Sequence, residues 1–223
     1  MKKIAMLVAL LALAGGLQAF GDTVVFNDQS ISGYTPQGFT GNLASFFQVN
    51  SPVTVDALGI FNASGTGYIA GTIQVGLYDV TTGEQVGTTV TFGPDTSYTA
   101  GGGFGHDVFQ TIAPQTLAPG LYEVDAVGFS ATDTNGNTGF PPEPGPVFNT
   151  LGGALNFSGY SYYNGDSSGL DFPNVNNGLG IYDTHIYEAG TLEASPVPEP
   201  SSLLLLGTGL AAFAGMLRRK LRA

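Results

Sequence analysis

The side chains best suited to chemistry in this sequence are concentrated between residues 131 and 178. Five of them carry the oxygen ligands that hard cations prefer: Asp133, Asn135, Asn137, Asp166 and Asp171. The first three alternate along the chain like the start of a calcium loop, but the glycine and glutamate of an EF-hand are replaced by Thr138 and Pro144. The sequence therefore predicts a calcium site of another kind, or turns in which these side chains bond to the backbone.

An aromatic cluster at Tyr160, Tyr162 and Tyr163 lies in the same region. Flat rings stack on the apolar face of a pyranose, and nearby carboxylates accept hydrogen bonds from its hydroxyls. The cluster predicts a ligand-binding site for carbohydrate. The alternative is that these tyrosines alternate along a strand and pack half-buried against a sheet.

Residues suited to catalysis do not form a recognisable set. Gly165 to Gly169 reads GDSSG and resembles the serine-nucleophile string of trypsin-like proteases, but a triad also needs a histidine held by a carboxylate. Neither histidine of the chain, His106 or His185, lies in a matching motif. A carboxylate pair for glycoside hydrolysis cannot be located from sequence. We predict no catalytic residues and no enzymatic activity, with a hydrolase acting on glycans as a remote alternative.

Composition narrows the class of protein. The 223 residues include no cysteine, 34 glycines and 13 prolines, so a disulfide framework is excluded. All six basic residues lie at the termini, and all 17 carboxylates lie between Asp22 and Glu199, which gives residues 20–199 a formal charge of −17. Such a surface repels polyanions, so nucleic-acid binding is excluded, and divalent cations are the natural counter-charge.

The body of the chain has the pattern of β-strands. Segments rich in β-branched and aromatic residues are separated by Gly, Pro and Asn, and no convincing helical period occurs between Thr23 and Thr191. Seven strands are predicted, at residues 44–49, 54–61, 72–80, 85–92, 107–112, 120–129 and 180–189. Residues 131–178 are expected to form loops at an edge or end. The predicted fold is an all-β, antiparallel β-sandwich of residues 20–194.

The two ends of the chain predict export and membrane anchoring. Lys2 and Lys3, followed by a short apolar run, form a signal peptide over residues 1–19, cleaved after Ala19. A proline-rich tether occupies residues 195–202, and the uncharged run 203–217 is about 22 Å long as a transmembrane helix. Residues 218–223 form a basic cytoplasmic tail, whose stop-transfer charges are Arg218, Arg219, Lys220 and Arg222.

The tail resembles the PEP-CTERM sorting signal of Gram-negative bacteria. It has the motif Pro198, Glu199 and Pro200, then the apolar helix, then the basic cluster. The resemblance implies transient anchoring in the inner membrane, processing near the motif by an exosortase, and delivery to the cell surface or extracellular matrix. Residues 38–128 also resemble a β-sandwich module of jelly-roll type that is common in PEP-CTERM proteins.

Together these observations predict an exported protein with a non-enzymatic structural or adhesive role in an exopolysaccharide matrix or biofilm. The predicted partners are an exosortase and exopolysaccharide. The alternative function is a carbohydrate-binding module, with calcium as the candidate cofactor.

Overall fold

The computed structural model describes residues 22–27, 35–65, 67–97, 99–100, 106–139, 147–163, 169–170 and 185–197, and further single positions at 207, 209–210, 213–214, 217–218 and 220. The predicted signal peptide lies outside the described residues. Asp22–Pro196 form one compact unit.

The compact unit is built almost wholly from strands. Its described elements are β1 (Thr23–Val24), β2 (Phe26–Asn27), β3 (Thr35–Gln37), β4 (Asn42–Val49), β5 (Val53–Phe61), β6 (Ile73–Asp79), β7 (Glu84–Phe92), β8 (Thr99–Ala100), β9 (Asp107–Leu117), β10 (Gly120–Val127), β11 (Asn135–Gly139), β12 (Val147–Phe148), a 3₁₀ helix (Leu151–Gly153), β13 (Leu155–Tyr163), β14 (His185–Glu188) and β15 (Gly190–Pro196).

Two five-stranded sheets carry most of the structure. Sheet I has the order β1-β15-β5-β9-β8, and sheet II has the order β13-β4-β10-β6-β7. A three-stranded sheet, β14-β11-β3, and a two-stranded one, β12-β2, complete the set. Neighbouring strands are antiparallel throughout. The chain crosses repeatedly between the sheets, for example from β4 to β5 and from β9 to β10, as sandwich connections of the Greek-key kind require.

One hydrophobic core joins the two sheets. Leu58 and Ile60 of β5 belong to the same buried cluster as Leu77 of β6, Val124 of β10 and Leu192 of β15. Each fully buried side chain of this size contributes about 1.5–3 kcal/mol to the free energy of unfolding. The sheets therefore pack face to face, and the prediction of an all-β antiparallel sandwich is confirmed.

The hairpin between β6 and β7 shows how local chemistry sets the strand register. The Asp79 carboxylate accepts hydrogen bonds from the amides of Thr81 (2.8 Å) and Thr82 (3.1 Å). Gly83 has a φ of 72° and donates its amide to the Asp79 carbonyl over 2.8 Å. Glycine adopts this left-handed conformation without a Cβ penalty. The turn pairs Asp79 with Glu84.

Residues 131–178 contain more regular structure than the sequence suggested. Strand β13 pairs along β4, and β11 pairs with both β14 and β3. The register of β13 shifts between Phe157 and Gly159, where Gly159 has a φ of 129°. A bulge of this kind inserts one extra residue into a strand. The extra residue breaks the two-residue period of the aromatic side chains. For this reason the sequence pattern indicated loops over residues 131–178.

The last strand also extends further than expected. Ser195 and Pro196, which the sequence assigned to the tether, pair with Thr54 and Val53 of β5. On the other side of β15, the pairing with β1 involves Ala194 and Glu193. A proline is tolerated at a strand end, where loss of one N–H donor interrupts the hydrogen-bond ladder least. The strand thus includes the first two residues of the predicted tether.

Positions 207 to 220 are helical wherever the structure describes them. No helix formed by the described residues is both long enough and apolar enough to cross a membrane. Much of the predicted transmembrane helix, residues 203–217, lies outside the described residues.

We expect a side chain at Gly128, directly after β10, to destabilise the sandwich. Its φ is 104°, and an added Cβ would overlap the backbone oxygen of Thr72. Gly153 is a matched control, because its φ is 97° but an added Cβ would meet no atom within 4 Å. Gly153→Ala should lower the free energy of unfolding by about 1–2 kcal/mol. Gly128→Ala should lower it by roughly 1–3 kcal/mol more, since the backbone must also move.

Urea unfolding followed by tyrosine fluorescence measures both variants, because the chain has no tryptophan. Equal unfolding midpoints for the two variants would contradict this account.

Candidate functional site

The tyrosines predicted to bind carbohydrate lie on β13, and the first of them faces inward. Tyr160 is only 4% exposed. Its ring centroid lies 4.9 Å from that of Phe157 and 6.4 Å from that of Tyr187. A ring packed in this way cannot stack on a ligand, so Tyr160 belongs to the core.

The second tyrosine, Tyr162, is half-buried and packs edge-to-face with two rings. The centroids of Phe39 and Tyr187 both lie 5.9 Å from its own, at interplanar angles of 90° and 68°. Burial, together with the nearby Tyr162, raises the pKa of Tyr187 to about 12. These contacts hold β13 against β14. The side chain of the third tyrosine, Tyr163, lies outside the described residues. The structure thus places Tyr160 and Tyr162 in aromatic packing.

Asp133, the first predicted calcium ligand, instead bonds to a distant loop. One carboxylate oxygen accepts the amide of Ala70 over 2.9 Å, and the other accepts the amide of Gly71 over 2.7 Å. Ser130 supports this arrangement, because its hydroxyl accepts the amide of Asp133 over 3.1 Å. The carboxylate therefore joins two segments more than 60 residues apart in sequence.

Asn135 and Asn137, the next two predicted ligands, connect β11 to β3. The side-chain oxygen of Asn135, fully buried, accepts the amide of Phe39 over 3.2 Å. Both asparagine side chains donate to the side-chain oxygen of Gln37, at 3.3 Å and 3.2 Å. Asp133 and these amides thus bond mainly to distant segments of the chain, whereas the alternative from the sequence was a turn bonded to its own backbone.

The other predicted ligands, Asp166 and Asp171, lie outside the described residues, as does Ser167. Within the part of the chain that is described, no three histidine or carboxylate side chains lie close enough together to hold a metal ion. Calcium binding stays a prediction.

A buried carboxyl group that the sequence did not single out lies on the central strand of sheet II. Glu123 of β10 is fully buried on the face opposite the core. Among the described residues, neither of its carboxyl oxygens has a hydrogen-bond partner. Burial raises its pKa to about 9. Glu123 is therefore protonated and uncharged at neutral pH.

Part of the cover over this face is described. The side-chain amide of Asn42 on β4 donates to the carbonyl of Gly169 over 3.5 Å. Leu170 follows and reaches Gly76 of β6, where an added Cβ would lie 3.0 Å from its methyl group. Residues 169–170 thus lie over the outer face of sheet II. They help to keep water away from this face, which is also the face that carries Glu123.

A second buried carboxyl group lies where β14 meets β11. Glu188 is 3% exposed, and its side chain occupies the space beside Gly136, where a Cβ would overlap it. Burial and then the negative charge of Asp107 raise the pKa of Glu188 to about 7. The two carboxylates share the lining of a cavity of about 10 Å³, room for about one water molecule. This cavity is too small for an organic ligand.

Three more carboxylates gather on the outer side of sheet I. Burial and the neighbouring Asp22 raise the pKa of Asp56. The pKa of Glu193 is raised by burial and by the charges of Asp56 and Asp22. Burial is the larger cause of both shifts, and the repulsion adds to it because the domain has no lysine or arginine to offset like charges.

The largest exposed aromatic ring among the described residues stands beside a groove. Tyr68 is 60% exposed, whereas the adjacent Ile69 is 1% exposed. The groove has a volume of about 240 Å³ and lies between the segment after β5 and the segment before β11. Its polar lining includes Ser64, Thr132 and Asp133. The ring of Tyr68 and these polar side chains line the same groove.

The groove was not predicted from the sequence because its lining comes from two distant segments of the chain. Residues 61–70 and 132–134 are far apart in the chain, and the bonds of Asp133 to Ala70 and Gly71 hold these segments side by side. The available signal was the single tyrosine in the glycine-rich stretch ASGTGYIAG, from Ala63 to Gly71. A tyrosine flanked by turn residues, outside any strand pattern, indicates an exposed ring.

We expect Glu123 to make the protein less stable as pH rises. The native pKa of about 9 lies above the ordinary value of 4.5, so the unfolded chain loses this proton first. The contribution of Glu123 to the free energy of unfolding is fully present below pH 4.5 and is lost as pH rises towards 9. Glu123→Gln should raise the free energy of unfolding at pH 7 by about 3 kcal/mol.

The check is urea unfolding at a series of pH values, with the exposed Glu84→Gln as the control. The two variants should have similar stability near pH 4 and diverge as pH rises. A constant difference between them at all pH values would refute the assignment.

The C-terminal segment is described at only a few positions. Arg218 and Lys220 are helical and exposed. The remaining residues of the predicted motif and basic cluster, Pro198, Glu199, Pro200, Arg219 and Arg222, lie outside the described residues, as does Ala19. The roles predicted for these residues stay predictions.

Comparison with known proteins identifies this segment. Residues 196–220 match the PEP-CTERM protein-sorting motif, and the match spans the predicted Pro-Glu-Pro sequence and most of the basic cluster. No curated protein matches the chain. The motif implies export, a sorting signal anchored in the membrane before cleavage, and processing by an exosortase. The resemblance seen in the sequence is thus confirmed, and the chain carries a PEP-CTERM sorting motif at residues 196–220.

Proposed function

We propose that this chain is a non-enzymatic structural or adhesive protein of the cell surface or exopolysaccharide matrix of a Gram-negative bacterium. The observation that carries the proposal is the order of its parts. A compact β-sandwich ends at Pro196, and the sorting motif occupies residues 196–220. The sandwich is therefore the part that sorting delivers, and the signal peptide and apolar run provide its route.

The chemistry of the sandwich supports a passive role. The chain has no cysteine and two histidines, and the described carboxyl groups with the most strongly raised pKa values are enclosed. Glu123 is fully buried, and Glu188 lines a cavity that holds about one water molecule. A catalytic acid must reach the bond that it cleaves. The enclosure of both groups supports a role in maintaining structure.

The charge of the sandwich supports a place in a hydrated matrix. Residues 20–199 carry 17 carboxylates and no lysine or arginine. Copies of such a protein repel one another and stay dispersed among polysaccharide chains. The same charge disfavours contact with anionic polymers, which favours neutral glycan as the matrix partner.

Sorting should depend on Glu199 and not on an identical tripeptide elsewhere. The sequence contains a second Pro-Glu-Pro at residues 142–144, which no long apolar run or basic cluster follows. Glu199→Ala should leave the protein unprocessed and in the membrane fraction, because the exosortase no longer recognises its site. Glu143→Ala should be processed like the wild type.

Fractionation of the producing strain, with immunoblots of the membrane, surface and medium, measures this difference. Normal processing of Glu199→Ala, or equal defects in both variants, would contradict sorting through residues 198–200.

Absence of catalysis is tested directly on exopolysaccharide from the producing strain. Incubation with the purified full-length protein should release no reducing ends, with or without calcium. If reducing ends appear, Glu123→Gln and Glu188→Gln should be assayed next. Release by the wild type that either substitution abolishes would overturn the non-enzymatic role.

A further inference from the structure

We propose that the groove beside Tyr68 binds a neutral pyranose unit of a glycan. The inference deepens the adhesive role proposed above and rests on that role for its biological meaning. It names a site away from β13, where Tyr160 is buried and Tyr162 is half-buried against other rings.

The first argument is the position of the aromatic ring. A tyrosine that is 60% exposed, next to an isoleucine that is 1% exposed, offers apolar surface at the rim of a groove. Ile69 anchors the segment in the core, and Tyr68 is thereby held at the surface. The axial C–H bonds of a pyranose present an apolar face that packs well on such a flat ring.

The second argument is the rigidity of the groove on the Tyr68 side. Asn62 is 3% exposed, and its side-chain amide donates to the carbonyl of Tyr68 over 3.1 Å. Its side-chain oxygen accepts the hydroxyl of Ser64 over 2.6 Å. Asp133 fixes the end of the same segment through the amides of Ala70 and Gly71. A site organised before binding loses less conformational entropy when the ligand arrives.

The third argument is the supply of hydrogen-bond acceptors. A carboxylate has about four acceptor positions, and backbone amides occupy two on Asp133. Asp133 therefore keeps capacity for hydroxyl donors while it holds the loop in place. Thr132 is exposed beside it and adds a hydroxyl group. An aromatic platform next to acceptors of this kind matches the two-sided chemistry of a sugar ring.

Size and charge define the class of ligand. The volume of about 240 Å³ is below the roughly 300–1,000 Å³ of sites for drug-sized molecules, so one sugar ring is the appropriate occupant. The groove contains the Asp133 carboxylate, and the sandwich has no lysine or arginine to neutralise a uronic acid. Neutral pyranosides should therefore bind more tightly than their uronate counterparts.

The test is titration of the full-length protein, in a detergent without a sugar headgroup, with methyl glucoside, methyl galactoside and methyl mannoside, followed by NMR. At least one should bind saturably. Tyr68→Ala should weaken that binding about tenfold or more, because the stacking surface is lost. Tyr68→Phe keeps the ring and should stay within about twofold of the wild type.

Two further variants make the result specific. Tyr68→Leu keeps apolar bulk without a flat ring and should lose binding as Tyr68→Ala does, which guards against a folding defect in the alanine variant. Phe157→Ala removes another exposed aromatic ring, 40% exposed and outside the groove, and should bind like the wild type. Thermal unfolding of each variant checks its fold.

Several results would overturn the inference. These are the absence of binding by every pyranoside, unchanged binding by Tyr68→Ala or Tyr68→Leu, and an equal loss in Phe157→Ala. Uronates that bind as tightly as neutral sugars in the presence of a chelator would exclude the neutral class. Because this assay needs no sorting, a chain that is sorted but binds no sugar contradicts only this inference, and one that binds but is not sorted contradicts the proposed function.

Discussion

No side chain between Lys3 and Arg218 carries a permanent positive charge, so each carboxylate of the sandwich must be stabilised by another means. Glu123 remains protonated inside the fold, and Asp133 and Asp79 accept hydrogen bonds from backbone amides. Asp56 and Glu193 are half-buried beside other carboxylates, and burial and like charge raise the pKa of each. The arrangement of acidic residues thus follows from the lack of counter-ions.

This constraint also links the fold to the candidate groove. In a protein with basic residues, an aspartate such as Asp133 would commonly pair with lysine or arginine. Here it bonds to the amides of Ala70 and Gly71, and those two bonds bring the segment that carries Tyr68 beside Thr132. The groove is therefore a by-product of how the half-buried carboxylate of Asp133 is satisfied.

Much of the sheet structure could be predicted from the sequence, because β5, β6, β7 and β10 have clear strand composition and turn residues at their ends. Strand β13 was predicted only as the alternative for its tyrosines, because its bulge near Gly159 shifts the alternation of side chains. The groove could not be predicted, since it depends on long-range bonds that no local pattern reveals. The residues first singled out, such as Tyr160 and Asn135, have side chains suited to binding, but packing directs them to the interior.

The place of β15 in sheet I also bears on mechanics. The chain leaves the sandwich at Pro196, beside Val53, whereas the segment that carries Tyr68 follows the opposite end of β5, after Phe61. A force applied between Pro196 and the groove would pull β15 and β5 in opposite directions along their length. Their ladder would then be loaded in shear, with its hydrogen bonds sharing the tension, and would not be unzipped one bond at a time. A sandwich joined in this order resists extension between Pro196, where the sorting motif begins, and the groove.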